Sequence, residues 1–202
     1  MNILVIPEDF RKDQYILKPL ISRLFRRLGA PNPQVVVCQD PLLGGIDEAV
    51  KTDKLAAIVN DQQGMTDIFI LCVDRDGALG RRQRLDRIEA EFQSRCVFFA
   101  ENAWEEVETW ALAGLTLPRE WRWTDVRAEV QVKEQYFEPL AVRRGLVNAT
   151  EYSRRGLNSE ESRRIWQVLG EEAARRVPAI RQKCPEDFDA LAQRLASAVQ
   201  AT

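Results

Sequence analysis

The stretch Ile68-Phe69-Ile70-Leu71-Cys72-Val73-Asp74-Arg75-Asp76-Gly77 decides the fold. Its first six residues are an unbroken apolar run, the pattern of a strand covered on both faces in a parallel sheet. Asp74 and Asp76 follow at the strand's exit, and ligands of open parallel sheets bind outside such carboxyl ends. Side chains two apart on an extended segment point to one face, so the two aspartates are expected to converge on one ion. Taken alone, Asp-Arg-Asp-Gly reads better as a turn, with Asp76-Gly77 as its central pair. A second acidic strand end shifts that balance. Glu8 follows the apolar run Ile3-Leu4-Val5-Ile6, and the two ends reinforce each other if their strands are neighbours.

Outward from this stretch, apolar runs alternate with helical periodicity. Strands are expected at 2–6, 35–38, 68–73 and 96–100, and helices at about 12–28, 46–60, 80–93 and 103–115. Gly29 ends the first of these helices, and Pro31 and Pro33 fix the turn beyond it. Alternation of this kind predicts an α/β protein, with a Rossmann-like parallel sheet of about four strands flanked by helices. The character changes after Pro118, where helices are expected at about 134–144, 159–176 and 186–200. The chain is therefore read as an α/β core over 1–115 and a mostly helical extension over 116–202, packed on that core. Trp121 and Trp123 are expected to seat the extension rather than to stack bases.

Composition removes several chemistries. The 202 residues contain no histidine, which excludes a Ser-His-Asp triad, a histidine-paired catalytic cysteine and histidine-ligated zinc. The four cysteines (Cys38, Cys72, Cys96, Cys184) are far apart and form neither a CxxC metal motif nor a disulfide framework. They are expected as buried apolar thiols. No apolar run approaches the roughly 20 residues that span a bilayer. Pro7 and Glu8 interrupt the one apolar run near the N-terminus, so neither a signal peptide nor a membrane is expected, and a cytoplasmic setting is.

Carboxylates without histidine suit a hard divalent cation, which one or two carboxylates hold together with water and phosphate oxygens. Within the helix expected after the fourth strand, Trp104, Val107, Ala111 and Leu115 share a stripe that also carries Glu108. A carboxylate facing a core is costly unless it is paired or bound to a metal. Glu105 and Glu106 lie off that stripe and are expected in solvent, and Glu101 is a weaker candidate at a strand end. The formal net charge is −2, yet arginines cluster: Arg81, Arg82, Arg84 and Arg87 follow the second carboxylate site, and Arg143-Arg144, Arg154-Arg155, Arg163-Arg164 and Arg175-Arg176 follow later. Arg81, Arg82 and Arg84 are the candidate nucleic-acid contacts, because the planar guanidinium suits phosphate. Arg163, Arg164, Arg175 and Arg176, set among glutamates, read as solvated helix faces.

Glu8 followed downstream by Asp74-Arg75-Asp76 resembles the TOPRIM signature of topoisomerases, bacterial primases and the overcoming-lysogenization-defect nucleases. The whole chain is similar to a small bacterial TOPRIM-related family considered alongside phage-defence nucleases. Glu105-Glu106-Val107-Glu108-Thr109-Trp110-Ala111-Leu112-Ala113, Lys133-Glu134-Gln135-Tyr136-Phe137 and Cys184-Pro185-Glu186-Asp187-Phe188 carry the rest of the likeness. One departure stands at Asp9, where that family has glycine; the family's next acidic position is matched by Asp13. The resemblance implies one or two Mg²⁺ or Mn²⁺ ions held by Asp74, Asp76 and Glu108. It also implies Glu8 as a further ligand or general acid/base, and Lys133 stabilising charge on a scissile phosphate. The activity it implies is a nuclease acting on DNA or RNA, with an ATPase or other protein partner. Two other readings are a non-catalytic TOPRIM-shaped binding or regulatory subunit, which the lost glycine and modest basic surface favour, and nucleotidyl transfer as in primases.

Overall fold

The computed structural model describes residues 1–41 and 43–201, the last by its backbone alone. Four strands, β1 (Asn2–Pro7), β2 (Gln34–Val37), β3 (Ile68–Asp74) and β4 (Val97–Ala103), form one all-parallel sheet in the order β2-β1-β3-β4. The architecture is the expected Rossmann-like α/β arrangement. Successive residues of each strand face opposite sides, as a pleated backbone requires. Ile3, Val5, Ile68, Ile70 and Cys72 face one apolar core with helix α1 (Phe10–Arg27). Leu4, Ile6, Phe69, Leu71 and Val73 face the other. There they meet the short helix α2 (Ile46–Ala49), α3 (Thr52–Asp61) and α4 (Arg81–Phe92), where Phe92 and Phe98 stack at 4.7 Å.

The strand order places the functional question. From β1 the chain passes to α1 on one face; from β3 it passes to α4 on the other. The crevice between β1 and β3 is thus the topological switch point, the usual ligand position in an open α/β sheet. Pairing of Pro7 with Cys72 sets the exits of these two strands side by side, so the neighbour condition on Glu8 and Asp74 is met.

Helix α5 (Val107–Gly114) follows β4 and joins α1 on the first face. The C-terminal half supplies α6 (Trp123–Ala128), a π-helical turn (Lys133–Phe137) running into α7 (Glu138–Arg143), α8 (Ala149–Arg155), α9 (Ser159–Ala174) and α10 (Val177–Lys183). A second π-helical turn (Pro185–Asp189) then runs into α11 (Ala190–Ala201). Their apolar residues continue the core built on α1 and α5. Asn158 and Glu161 form a reciprocal capping box at the start of α9. Trp121 packs edge-on against Tyr136 at 5.0 Å, and Trp123 Nε1 donates to the Lys183 carbonyl at 3.2 Å, contacts that tie the C-terminal helices to one another.

One contact fixes α9 against α1. Pro19 lies inside α1 and has no N–H to give the Tyr15 carbonyl, and its ring crowds that carbonyl. The Tyr15 oxygen faces Gly170 of α9, where a Cβ would sit only 2.2 Å from it. On the opposite flank, a Cβ on Gly114 of α5 would lie 2.7 Å from the Ala173 carbonyl oxygen. Three helices carrying site residues are therefore held at backbone contact.

Two element boundaries depart from the periodicity. The helix expected over 46–60 is interrupted, because Lys51 is extended (ψ 118°) and a new helix starts at Thr52. The helix expected from Ala103 begins only at Val107: β4 continues through Ala103, and the chain pivots at Glu105, whose φ is 67°. Trp104 consequently lies outside the stripe of α5. Among the described residues, no helix is long and apolar enough to cross a membrane.

Candidate active site

At the switch point, Glu8, Asp9, Asp13, Asp74, Glu106 and Glu108 line a cavity of about 140 Å³, with Lys12 and Lys133 as its two cations. They arrive from four parts of the fold: the β1–α1 segment, the end of β3, the start of α5 and the π-helical turn. Glu8 leaves β1, and its Oε2 accepts a 3.4 Å hydrogen bond from the Asp74 N–H, tying the two strand exits together. Asp74 ends β3 and turns its Oδ1 to the N–H of Val107 at 2.8 Å, satisfying the first orphan donor of α5. Asp13 lies in the first turn of α1 and accepts from the Asp9 N–H at 3.2 Å. Glu108 comes from α5, buried, with Oε1 accepting from Trp166 Nε1 of α9 at 2.8 Å. It faces inward as the stripe required, and its hydrogen-bond donor is an indole rather than an arginine.

Asp9 caps α1, accepting from the Arg11 N–H at 3.0 Å with an ordinary extended φ of −130°. Aspartate in place of glycine therefore strains nothing here.

The electrostatics are those of carboxylates short of positive charge. Burial raises the Asp13 carboxyl well above its usual range, and repulsion from Glu108 adds to it. Asp74 is raised likewise, by burial first and then by Asp13, Glu108, Glu8 and Asp76. Burial raises Glu108 against the opposing pull of Lys133 and Lys12, and raises Glu8 with help from Asp76. Glu106 is pushed up to about 7 by burial and by Glu108. Lys133 is raised: burial works to lower it, and the carboxylates of Glu134, Glu106 and Glu108 outweigh that. Its Nζ stands 3.5 Å from Glu106 and 3.0 Å from Glu134, and its backbone N–H donates to Glu106 Oε2 at 2.6 Å.

Asp76 sits differently from Asp74. The extended backbone ends at Asp74, and Asp76 takes a left-handed φ of 51° in a turn with Gly77. The alternation that carries i and i+2 to one face stops short of it. Its side chain is exposed at the rim, 3.9 Å from Arg81, close enough to act on Glu8 and Asp74 through its charge.

Glu105 and Glu106 are buried, contrary to the expectation of solvated residues. The helical wheel presumed a helix through both, whereas they form the pivot before it. Glu105 holds the turn after β3: its carbonyl accepts from the Arg75 and Asp76 N–H groups, its Oε2 accepts from the Gly77 N–H at 2.6 Å, and its Oε1 pairs with Arg75 at 3.1 Å.

The candidate nucleic-acid arginines divide. Arg82 is committed internally, with Nη1 at 2.7 Å from Glu101 and Nε at 2.9 Å from Asp86. Glu101 is held on its other oxygen by Arg194 at 2.7 Å, which makes it a structural ion-pair residue. Arg81 is enclosed, and Arg84 is exposed. Several later arginines are spent similarly, Arg144 on Glu172 at 2.7 Å and Arg155 on Glu161 at 2.8 Å.

The Cys-Pro segment docks against α5 and the residue that follows β4. Asp187 is buried and accepts from the Trp104 N–H at 2.9 Å and from Trp110 Nε1 at 2.7 Å, while Arg127 pairs with it at 3.1 Å. Phe188 packs on Trp110 at 5.1 Å. Sequence reasoning missed Lys12, whose ammonium lies 5.2 Å from the Trp166 ring centroid. It also gave Asp13 no role in the site beyond its likeness to a family position.

Among the described residues, no three acidic or thiol side chains are arranged to hold a metal ion as they stand. In donor chemistry the set nonetheless fits a hard divalent cation: oxygen ligands only, enclosed, with a negative excess that burial makes costly. No family model matches this sequence, and comparison with curated proteins and with solved structures likewise returns no match.

Proposed function

We propose that this protein is a divalent-metal-dependent phosphodiesterase, a nuclease acting on DNA or RNA in the cytoplasm. The observation that carries the reading is the meeting of Glu8, Asp13, Asp74 and Glu108 at the β1/β3 switch point, every one of them with a raised carboxyl. Structural carboxylates are ordinarily matched by cations, and four together opposite two lysines are costly without a further positive charge. Clusters of mutually perturbed groups in a cleft are characteristic of functional sites.

In this reading Asp74, Asp13 and Glu108 would hold Mg²⁺ or Mn²⁺, with Asp76 acting from the rim. The bound ion supplies Lewis-acid polarisation and charge neutralisation at the phosphodiester. Glu8, half-buried and raised, exchanges a proton with the attacking water or the leaving oxygen. Lys133, held by Glu106, stabilises negative charge developing on the phosphoryl oxygens. Asp13 and Glu108 are buried, so charges beside them act more strongly than in water. Nucleic-acid affinity from this chain alone is modest, since its net charge is −2 and Arg82 is internally paired. An ATPase or other partner that delivers substrate completes the reading, and the phage-defence setting rests on the TOPRIM resemblance alone.

The test is cleavage of plasmid and single-stranded substrates in Mg²⁺ or Mn²⁺ by the wild type and by Asp74→Asn. The expected result is metal-dependent cleavage that falls on the order of 10²-fold or more in the variant. Equal cleavage by both would contradict the assignment. One observation favours a second reading, a non-catalytic binding subunit: the carboxylates are not drawn onto one point. Absence of cleavage by either protein, alone and with partners, would favour that subunit.

A further inference from the structure

A second cavity, of about 340 Å³, lies at the start of α4 and shares no lining residue with the carboxylate cavity. Its wall holds an unusual concentration of unsatisfied polar atoms. Arg75 Nη1, Arg81 Nε, Arg82 Nη2 and Asn102 Oδ1 are buried without hydrogen-bond partners, and only Thr109 Oγ1 shares that condition elsewhere among the described residues. Folded proteins leave few such atoms, because each forfeits its hydration without compensation. Two of the four, Arg81 Nε and Asn102 Oδ1, have no ion-pair contact at that atom either, and they mark where a ligand's atoms would complete the set.

The donors differ in how free they are. Arg75 Nη1 lies 3.1 Å from Glu105 Oε1, and Arg82 Nη2 lies 3.5 Å from Glu89 Oε1, ion pairs without hydrogen-bond alignment. Arg81 has only Asp76 within ion-pair reach, at 3.9 Å, and 11 % of its side chain is exposed. The backbone adds further donors. Gly80 precedes α4 with a φ of 91° and no side chain caps the helix; the Arg81 N–H donates to the Ala78 carbonyl at 3.4 Å, which leaves the N–H groups of Arg82 and Gln83 in the first turn for an anion.

Three carboxylates also line the cavity, and all three are already ion-paired, Glu186 and Asp187 sharing Arg127. Glu101 is gripped by Arg82 and Arg194, Glu186 by Arg127 at 2.7 Å, and Asp187 by Arg127, Trp104 and Trp110. What remains unmatched is a set of N–H donors and one buried amide acceptor, on a residue only 6 % exposed.

We propose that this cavity binds a nucleotide phosphate, with Arg81, Arg75 and the α4 N-terminus receiving its anionic oxygens and Asn102 Oδ1 receiving a sugar hydroxyl. The ligand is either a free mononucleotide or the terminal nucleotide of a strand. The inference is independent of the cleavage reading, because it requires neither a cation nor turnover.

Binding is measured in chelator at low salt, with inorganic phosphate, a 5′-mononucleotide and a short 5′-phosphorylated single-stranded oligonucleotide. Amide spectra of the isotope-labelled wild type report the site directly. Shifts at Gly80, Arg82, Gln83 and the Arg81 Nε–H are expected, and shifts confined to other residues, or no binding of any probe, would overturn the proposal. Arg81→Gln should bind roughly tenfold more weakly, as loss of a charge-assisted contact predicts, while Arg23→Gln, exposed on α1, should bind as the wild type does. Undiminished binding by Arg81→Gln would overturn it too. Equal affinity for mononucleotide and oligonucleotide would identify a free nucleotide as the ligand, and tighter oligonucleotide binding would identify a strand end.

Discussion

Glu108 Oε1 accepts a 2.8 Å hydrogen bond from the indole Nε1 of Trp166, 58 residues further along the chain. The bond joins α5 to α9 and, among the described residues, is the one side-chain hydrogen bond that supports a buried carboxylate of the cavity from behind. Trp166→Phe keeps most of the ring and its contact with Phe137, but leaves Glu108 without that donor. The expected cost is about 1–3 kcal/mol, the desolvation penalty of a buried group deprived of its partner. Denaturant unfolding measures it, and a loss below roughly 0.5 kcal/mol would show that Glu108 does not depend on Trp166.

Gly170 offers a test with an inverted sign. Replacing glycine by alanine within a helix ordinarily stabilises it by about 0.5–1 kcal/mol. Here the added Cβ would meet the Tyr15 carbonyl that Pro19 leaves free, at 2.2 Å. Gly170→Ala should therefore destabilise by about 1–3 kcal/mol as α1 and α9 are forced apart. Because α1 carries Lys12 and Asp13, cation affinity should drop with it. A stabilised variant would refute the close contact.

Stability should also respond to pH in a defined direction. A carboxyl with a raised folded value holds its proton more tightly when folded. Its contribution is therefore full below the unfolded value and is lost as pH climbs through the folded one. For Glu106 the interval runs from 4.5 to about 7, and Glu8, Asp13, Asp74 and Glu108 act in the same direction. The carboxyls that move downward, Glu48 and Glu161 to about 2 with Asp9, Glu120 and Asp125 in the same direction, act only in more acidic solution. The thermal midpoint of the metal-free protein should accordingly fall between pH of about 5 and about 7.5. Glu106→Gln should flatten that fall, and Mg²⁺ should restore more stability at the upper end than at the lower. A midpoint that rises across the interval would contradict the electrostatic account.

The fold was readable because β1 and β3 are unbroken apolar runs and their exits carry acids. The inward turn of Glu108 was readable as well, since Val107, Ala111 and Leu115 mark the buried side of α5. Glu105 and Glu106 were misread for a local reason: the left-handed pivot at Glu105 leaves no periodic signature, so a helical wheel drawn from Ala103 turned both outward. Helix α8 buries no side chain and so offers no apolar period to detect. Lys12 and Arg82 depend on tertiary partners, Trp166 for one and Glu101 for the other, which local sequence does not contain. Asp76 shows the reverse situation, for its turn chemistry with Gly77 was visible beside the metal motif and accounts for its backbone.

Calorimetric titration with Mn²⁺ reads out whether one cation completes the carboxylates at the β1/β3 switch point. The wild type should bind with an affinity that Asp74→Asn lowers by at least roughly tenfold, about 1.4 kcal/mol, and that Asp76→Asn lowers less. Failure of the wild type to bind Mn²⁺, or equal binding by Asp74→Asn, would contradict the account.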